Sequence, residues 1–134
     1  MRWTSGAELC PLITELTPEE PARFNPERLE ELCHKIGEVR AEAEVALALH
    51  RISEHLPTLR SLLRDNEGAF VVAVDHVASD AELIGMATLA RVARGVLDSH
   101  STGNLVALAS TLARLDRVGE RSIHAVWDLE DVSV

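Results

Sequence analysis

The stretch VAVDHVASDAELIGM, from Val72 to Met86, sets His76 in an apolar run with Asp75 before it and Asp80 after it. Phe70, Val74, Val77 and Ala81 recur at helical spacing around it. If that stripe is the core face, a rotation of about 100° per residue puts Asp75 and His76 on opposite flanks of the outward side. An exposed imidazole on a rigid helix can act as a nucleophile toward an acyl phosphate, because imidazoles as a class keep a neutral form near pH 7. That chemistry asks little else of the chain, since a partner can bring the acids and the metal. The competing reading of the same residues is a solvated helix face.

The other histidines are less suggestive. His34, His50 and His55 fall on one long apolar-periodic segment, and His50, near its stripe, is expected to be a partly buried, hydrogen-bonded imidazole. His100 falls in a predicted loop, and His124 near the end of the last helix. Glu31 and His34 have the i, i+3 spacing used in di-iron bundles, but Glu120 and His124 stand at i, i+4, so no second unit completes the set. Cys33 and His34 are adjacent, and adjacent helical residues point about 100° apart, so Cys33 is expected in the core. Cys10 and Cys33 form no zinc motif, and no disulfide is expected. A glycine-rich phosphate loop and an HExxH motif are both missing, and no cofactor or metal is expected.

The elements that position His76 follow from composition and periodicity. A chain of 134 residues is long enough for one self-supporting core,. Its apolar residues are mostly Leu, Ala and Val, aromatics are 3%, and Tyr is absent, which favours packed helices,. The formal charge of −9 opposes binding to nucleic acid or to anionic lipid,. No stretch has the length of a membrane span, and the first residues lack a signal-peptide core, so a cytoplasmic protein is expected.

Residues 1–24, broken by Pro11, Pro18 and Pro21, are expected to form an irregular arm anchored by Trp3, Leu9, Leu12 and Ile13, ahead of a bundle domain over 25–134. Asn25 as N-cap and Pro26 at the first helical position open a helix, with Phe24 and Leu29 spaced as a hydrophobic staple. Its stripe of Leu29, Leu32, Ile36, Val39, Ala43 and Ala46 rotates into Val45, Leu49, Ile52 and Leu56, which predicts one helix over about 26–55. Pro57 ends or kinks it, and a short segment reaches Asp65. Helices follow over about 69–82, from Met86 to about Asp98, and over about 103–128. Gly85 breaks the first pair, a loop over Ser99–Gly103 separates the second, Thr102 is a candidate N-cap, and the acidic tail is expected to fray. Short connections predict an all-α, up-down antiparallel four-helix bundle.

The text VDHVASDAELIGMATLARVARGVLDSHSTGNLVALASTLARL resembles the histidine-containing phosphotransfer domain of bacterial phosphorelays. That family is a four-helix bundle whose signature is an alanine-histidine pair, any residue, then Leu-Lys-Gly-Ser, with a second glycine ending the helix. Gly85 resembles the helix-ending glycine, and Leu97-Asp98 stands where the next helix has Leu-Glu. The resemblance covers about half the chain. With His76 as the phosphorylated residue, Ser79 replaces the lysine, Asp80 replaces the first glycine, and the spacing to Gly85 is one short. With the spacing kept, Asp75 takes the histidine's place and Ser79 the glycine's.

The resemblance implies that His76 is the phosphoacceptor and that the partner is a response-regulator receiver domain. Asp75, Ser79, Arg91 and Arg94 then become candidate binding residues, the two arginines as rim contacts on the next helix. Asp80, four residues after His76, is expected to hold the imidazolium and repel phosphate. The alternative is a non-catalytic helical interaction module, a degenerate member of that family or a homodimeric adaptor.

Overall fold

The computed structural model describes residues 25–133, and among them the secondary structure is entirely helical. The expected staple residue Phe24, the arm with its Trp3 anchor, and Cys10 lie outside the described residues. The helices are α1 (Pro26–Ile36), α2 (Glu38–His55), α3 (Leu59–Asp65), α4 (Glu67–Leu83), α5 (Ala87–Ser101) and α6 (Leu105–Ser133), with a 3₁₀ turn over Leu56–Thr58 between α2 and α3.

The start of α1 is as its sequence predicts. Asn25 Oδ1 accepts a hydrogen bond from the Glu27 backbone N–H at 3.0 Å, and Pro26 occupies the first turn. The single helix expected over 26–55 is divided at Gly37, whose φ of 84° and ψ of 158° are open to almost no residue but glycine,. The break resets the helical phase. Leu29 and Leu32 are buried, Ile36 is partly buried, and Val39, Ala43 and Ala46 face outward, with Val39 at 83% exposure. The second stripe of Val45, Leu49 and Ile52 then carries α2 into the core, with Ala41 and Ala48 beside it. At Leu56-Pro57 the α-helix ends and the chain tightens into the 3₁₀ turn, although Leu56 keeps helical dihedrals (φ −53°, ψ −47°) despite the proline that follows it,.

Asn66 caps α4 by accepting from the Ala69 N–H at 3.1 Å. Phe70, Val74, Val77 and Ala81 are all fully buried, as the stripe predicts. Gly85, with φ 80°, turns the chain into α5. The two helices form an antiparallel hairpin: the start of α4 meets the end of α5 where Phe70 packs on His100, and the ring centroids are 5.6 Å apart. Helix α2 also runs antiparallel to α4, since Arg51 meets Asp80 while His55 meets His76.

Helix α5 runs three residues beyond the expected Asp98, so His100 sits in its last turn and is no loop residue. The N-cap of α6 is Asn104 instead of Thr102: its Oδ1 accepts from the Ala107 N–H at 3.0 Å. Helix α6 continues to Ser133, past the point where its tail was expected to fray. Leu108, Leu112, Leu115 and Val118 close the core from this side, and Ile123 packs against it. No helix among the described residues is long and apolar enough to cross a membrane.

Candidate functional site

The outward face of α4 carries the candidate site. Because Phe70, Val74, Val77 and Ala81 all point inward, Val72, Asp75, His76 and Ser79 are left exposed. Val72, His76 and Ser79 stand at i, i+4 and i+7, so they share one strip of that face. Burial of the opposite face fixes the helix, and the imidazole is presented on a rigid element.

The strip is framed by two clusters in which an arginine from a neighbouring helix holds carboxylates of α4. On the α5 side, Arg94 Nη1 donates to Asp75 Oδ1 at 2.9 Å, and its Nε donates to Glu82 Oε1 at 3.1 Å. Hydrogen bonds to Glu82 and then to Asp75 raise the Arg94 pKa above the usual arginine value, so its charge is secure,. On the α2 side, Arg51 donates to both oxygens of Asp80, with Nη2 at 2.8 Å from Oδ1 and Nε at 3.1 Å from Oδ2. Asp80 is the most sheltered member of the frame, its side chain only 13% exposed. Its hydrogen bonds likewise raise the Arg51 pKa.

This changes the role foreseen for Asp80. The carboxylate one turn from His76 is committed to Arg51, and a bidentate, charge-assisted pair of this kind leaves it little freedom to hold an imidazolium. Arg94, foreseen as a rim contact, is held by Asp75 and Glu82, although it remains about half exposed. Arg91 is exposed on α5 and Ser79 on α4.

Three partners were not foreseen from sequence: Arg51, Glu82 and His55. His55, on the last turn of α2, lies with its ring centroid 5.6 Å from that of His76, the planes tilted by 58°. Arg51 and His55 are four residues apart, so one face of α2 meets the α4 strip. That spacing was visible in the sequence; the register of α2 against α4 was not.

The remaining histidines fall elsewhere. His50, expected to be partly buried, is exposed, with Nε2 3.1 Å from Glu54 Oε1 on its own helix. Its neighbour Leu49 takes the buried position instead. His34 is exposed, and Cys33 packs partly buried against the core. Glu31 pairs with Arg28 at 3.1 Å and does not turn to His34. His100 is 22% exposed and lies 3.7 Å from Glu67. Glu120 and His124 line a hollow of about 210 Å³ with Asp116, Leu56 and Ile123. No group of three or more His, Cys, Asp or Glu side chains is placed to hold a metal ion among the described residues.

Compared with known proteins, the chain matches no protein family, no curated protein and no solved structure.

Proposed function

We propose that this chain is a phosphotransfer-type signalling module in which His76 takes a phosphoryl group from the aspartyl phosphate of a response-regulator receiver domain. The observation that carries this reading is the exposed imidazole of His76 near the middle of a helix whose other face is wholly buried. In this reading α2, α4, α5 and α6 close as an up-down four-helix bundle, and the protein works in the cytoplasm.

The transfer needs a lone pair and an approach path. A neutral imidazole nitrogen attacks phosphorus, the bond from phosphorus to the aspartyl oxygen breaks, and the carboxylate leaves with its electron pair. The receiver domain supplies its own acidic pocket and Mg²⁺. On this chain, Val72 gives the partner an apolar contact one turn before His76, and Ser79 leaves room one turn after it. Arg91 is the exposed cation available to the partner's acidic rim. Commitment of Asp80 to Arg51 and of Asp75 to Arg94 lowers the negative field that would otherwise repel the incoming phosphoryl group,.

A second reading has its own support. Ser79 stands where the phosphotransfer signature has a lysine, and both nearby arginines are engaged by carboxylates. The same face would then bind a regulatory partner, or a second copy of the chain, without chemistry.

The deciding experiment incubates the chain with a ³²P-labelled receiver domain and follows transfer of label. The phosphotransfer reading expects acid-labile, base-stable label on the wild type and on Asp75→Ala, and none on His76→Ala. A wild-type chain that takes no label while still binding the receiver leaves the binding module as the account.

A further inference from the structure

We infer that the exposed His76 and the partly buried His55 together form a two-imidazole site for a borderline divalent transition ion, with Zn²⁺ the ion we assign. Neutral imidazole is a favoured ligand for Zn²⁺, Cu²⁺ and Ni²⁺. The two rings come from different helices, α2 and α4, and both helices are held by buried stripes on their opposite faces. A bridging ion therefore meets a largely formed pair.

The centroid separation admits an ion between the rings once each turns a nitrogen toward the other. With a metal–nitrogen bond of about 2.0–2.1 Å and the ring centroid about 1.1 Å behind its nitrogen, each centroid stands about 3.2 Å from a shared ion. Two such arms spanning the observed 5.6 Å subtend about 120° at the ion,. Closing the pair by about 0.4 Å gives the tetrahedral angle, which is within the reach of side-chain torsions alone. The tilt of 58° also means that the rings are not stacked in parallel.

The local charges define what kind of site it is. The acids nearest in sequence to the two rings are already engaged: Asp75 and Asp80 are each held by an arginine, and Glu54, beside His55, pairs with His50. That agrees with the lack of any group of three ligand side chains among the described residues. Two coordination positions of a tetrahedral ion are left for water or for donors from a partner, one more than in a zinc site with three protein ligands. The net charge of −9 raises the local cation concentration around the chain,.

One consequence rests on the phosphotransfer reading: the lone pair of His76 that would attack phosphorus is one that an ion can take, so Zn²⁺ would mask the acceptor. The metal site itself does not depend on that reading, and its test uses no phosphate.

The test is a calorimetric titration of the full chain with Zn²⁺, repeated with His55→Ala, His76→Ala and His50→Ala. The expected result is one equivalent bound ahead of any other, weakened at least tenfold by either of the first two changes and by less than twofold by His50→Ala. NMR of the wild-type chain gives an independent readout that no folding defect can mimic: Zn²⁺ should move the ring resonances of His55 and His76 together at the same ratio of ion to protein, ahead of His34. Equal affinity in His55→Ala and wild type, or ring shifts at His76 without His55, would overturn the site.

Discussion

Of the three glycines with positive φ between helices among the described residues, Gly85 and Gly37 turn the chain in different surroundings. Gly85 joins α4 to α5 with φ 80°, and a Cβ built there would stand 3.1 Å from the Arg28 Cβ and 3.1 Å from the backbone N and O of Asn25. Its carbonyl accepts the Asn25 N–H at 2.6 Å, so the α4–α5 turn and the start of α1 are one packed unit. Gly37 joins α1 to α2 with φ 84°, and a Cβ there would meet nothing within 4 Å. The first glycine serves conformation and close approach, the second conformation alone. The difference separates a hairpin whose geometry is over-determined from a joint set by one residue's backbone freedom.

The sharpest way to break the hairpin is from inside. Phe70 is fully buried on α4 and touches the His100 ring on α5. Phe70→Ala should cost about 3–5 kcal/mol through lost burial and a residual cavity, read as a lowered urea midpoint at unchanged slope. Next come the two turns. Gly85→Ala should cost about 2–4 kcal/mol and Gly37→Ala about 1–3 kcal/mol, because both force a side chain into a strained φ but only the first adds a backbone clash. Thermal melts of the pair, run side by side, check the order; equal losses would mean that crowding at Gly85 is relieved by a shift of α1.

A smaller effect should come from the ion pair that ties the hairpin to α2. Asp80→Ala leaves the Arg51 guanidinium without its bidentate acceptor and should cost about 1–2 kcal/mol. Asp80 raises the Arg51 pKa, so on the arginine side this stabilisation is complete at every pH below the ordinary arginine value and fades only as strongly alkaline solution takes the pH through the raised one,. The difference between wild type and Asp80→Ala should therefore stay flat from about pH 6 to about pH 9 in chemical denaturation.

The same contrast explains what the sequence made legible. In α4 the repeat Phe70, Val74, Val77, Ala81 has no glycine inside it, so periodicity alone placed the core face and left Asp75 and His76 outside. In the α1–α2 segment the repeat ran on through Val39, Ala43 and Ala46, and Gly37 cut it, because hydrophobic spacing carries no information about a backbone that leaves helical geometry for a single residue. His50, read as half-buried because it lies next to the stripe residue Leu49, faces solvent while Leu49 is in the core as expected. The frame of the candidate site was hidden for another reason. Arg51 and His55 lie 29 and 21 residues from their partners Asp80 and His76, and only the packing of α2 on α4 brings them together. Loop residues misled at the other end, where Ser99 to Gly103 looked like a polar linker and α5 continued through Ser101.

Whether the imidazole displayed by the α4 face accepts a phosphoryl group is decided by site localisation with mass spectrometry, under neutral conditions, after brief exposure of the chain to a phosphorylated receiver domain. The account predicts a phosphoryl group on His76, lost in His76→Ala and kept in His50→Ala. A phosphoryl group on any other residue, or none while the receiver is seen to bind, would contradict it.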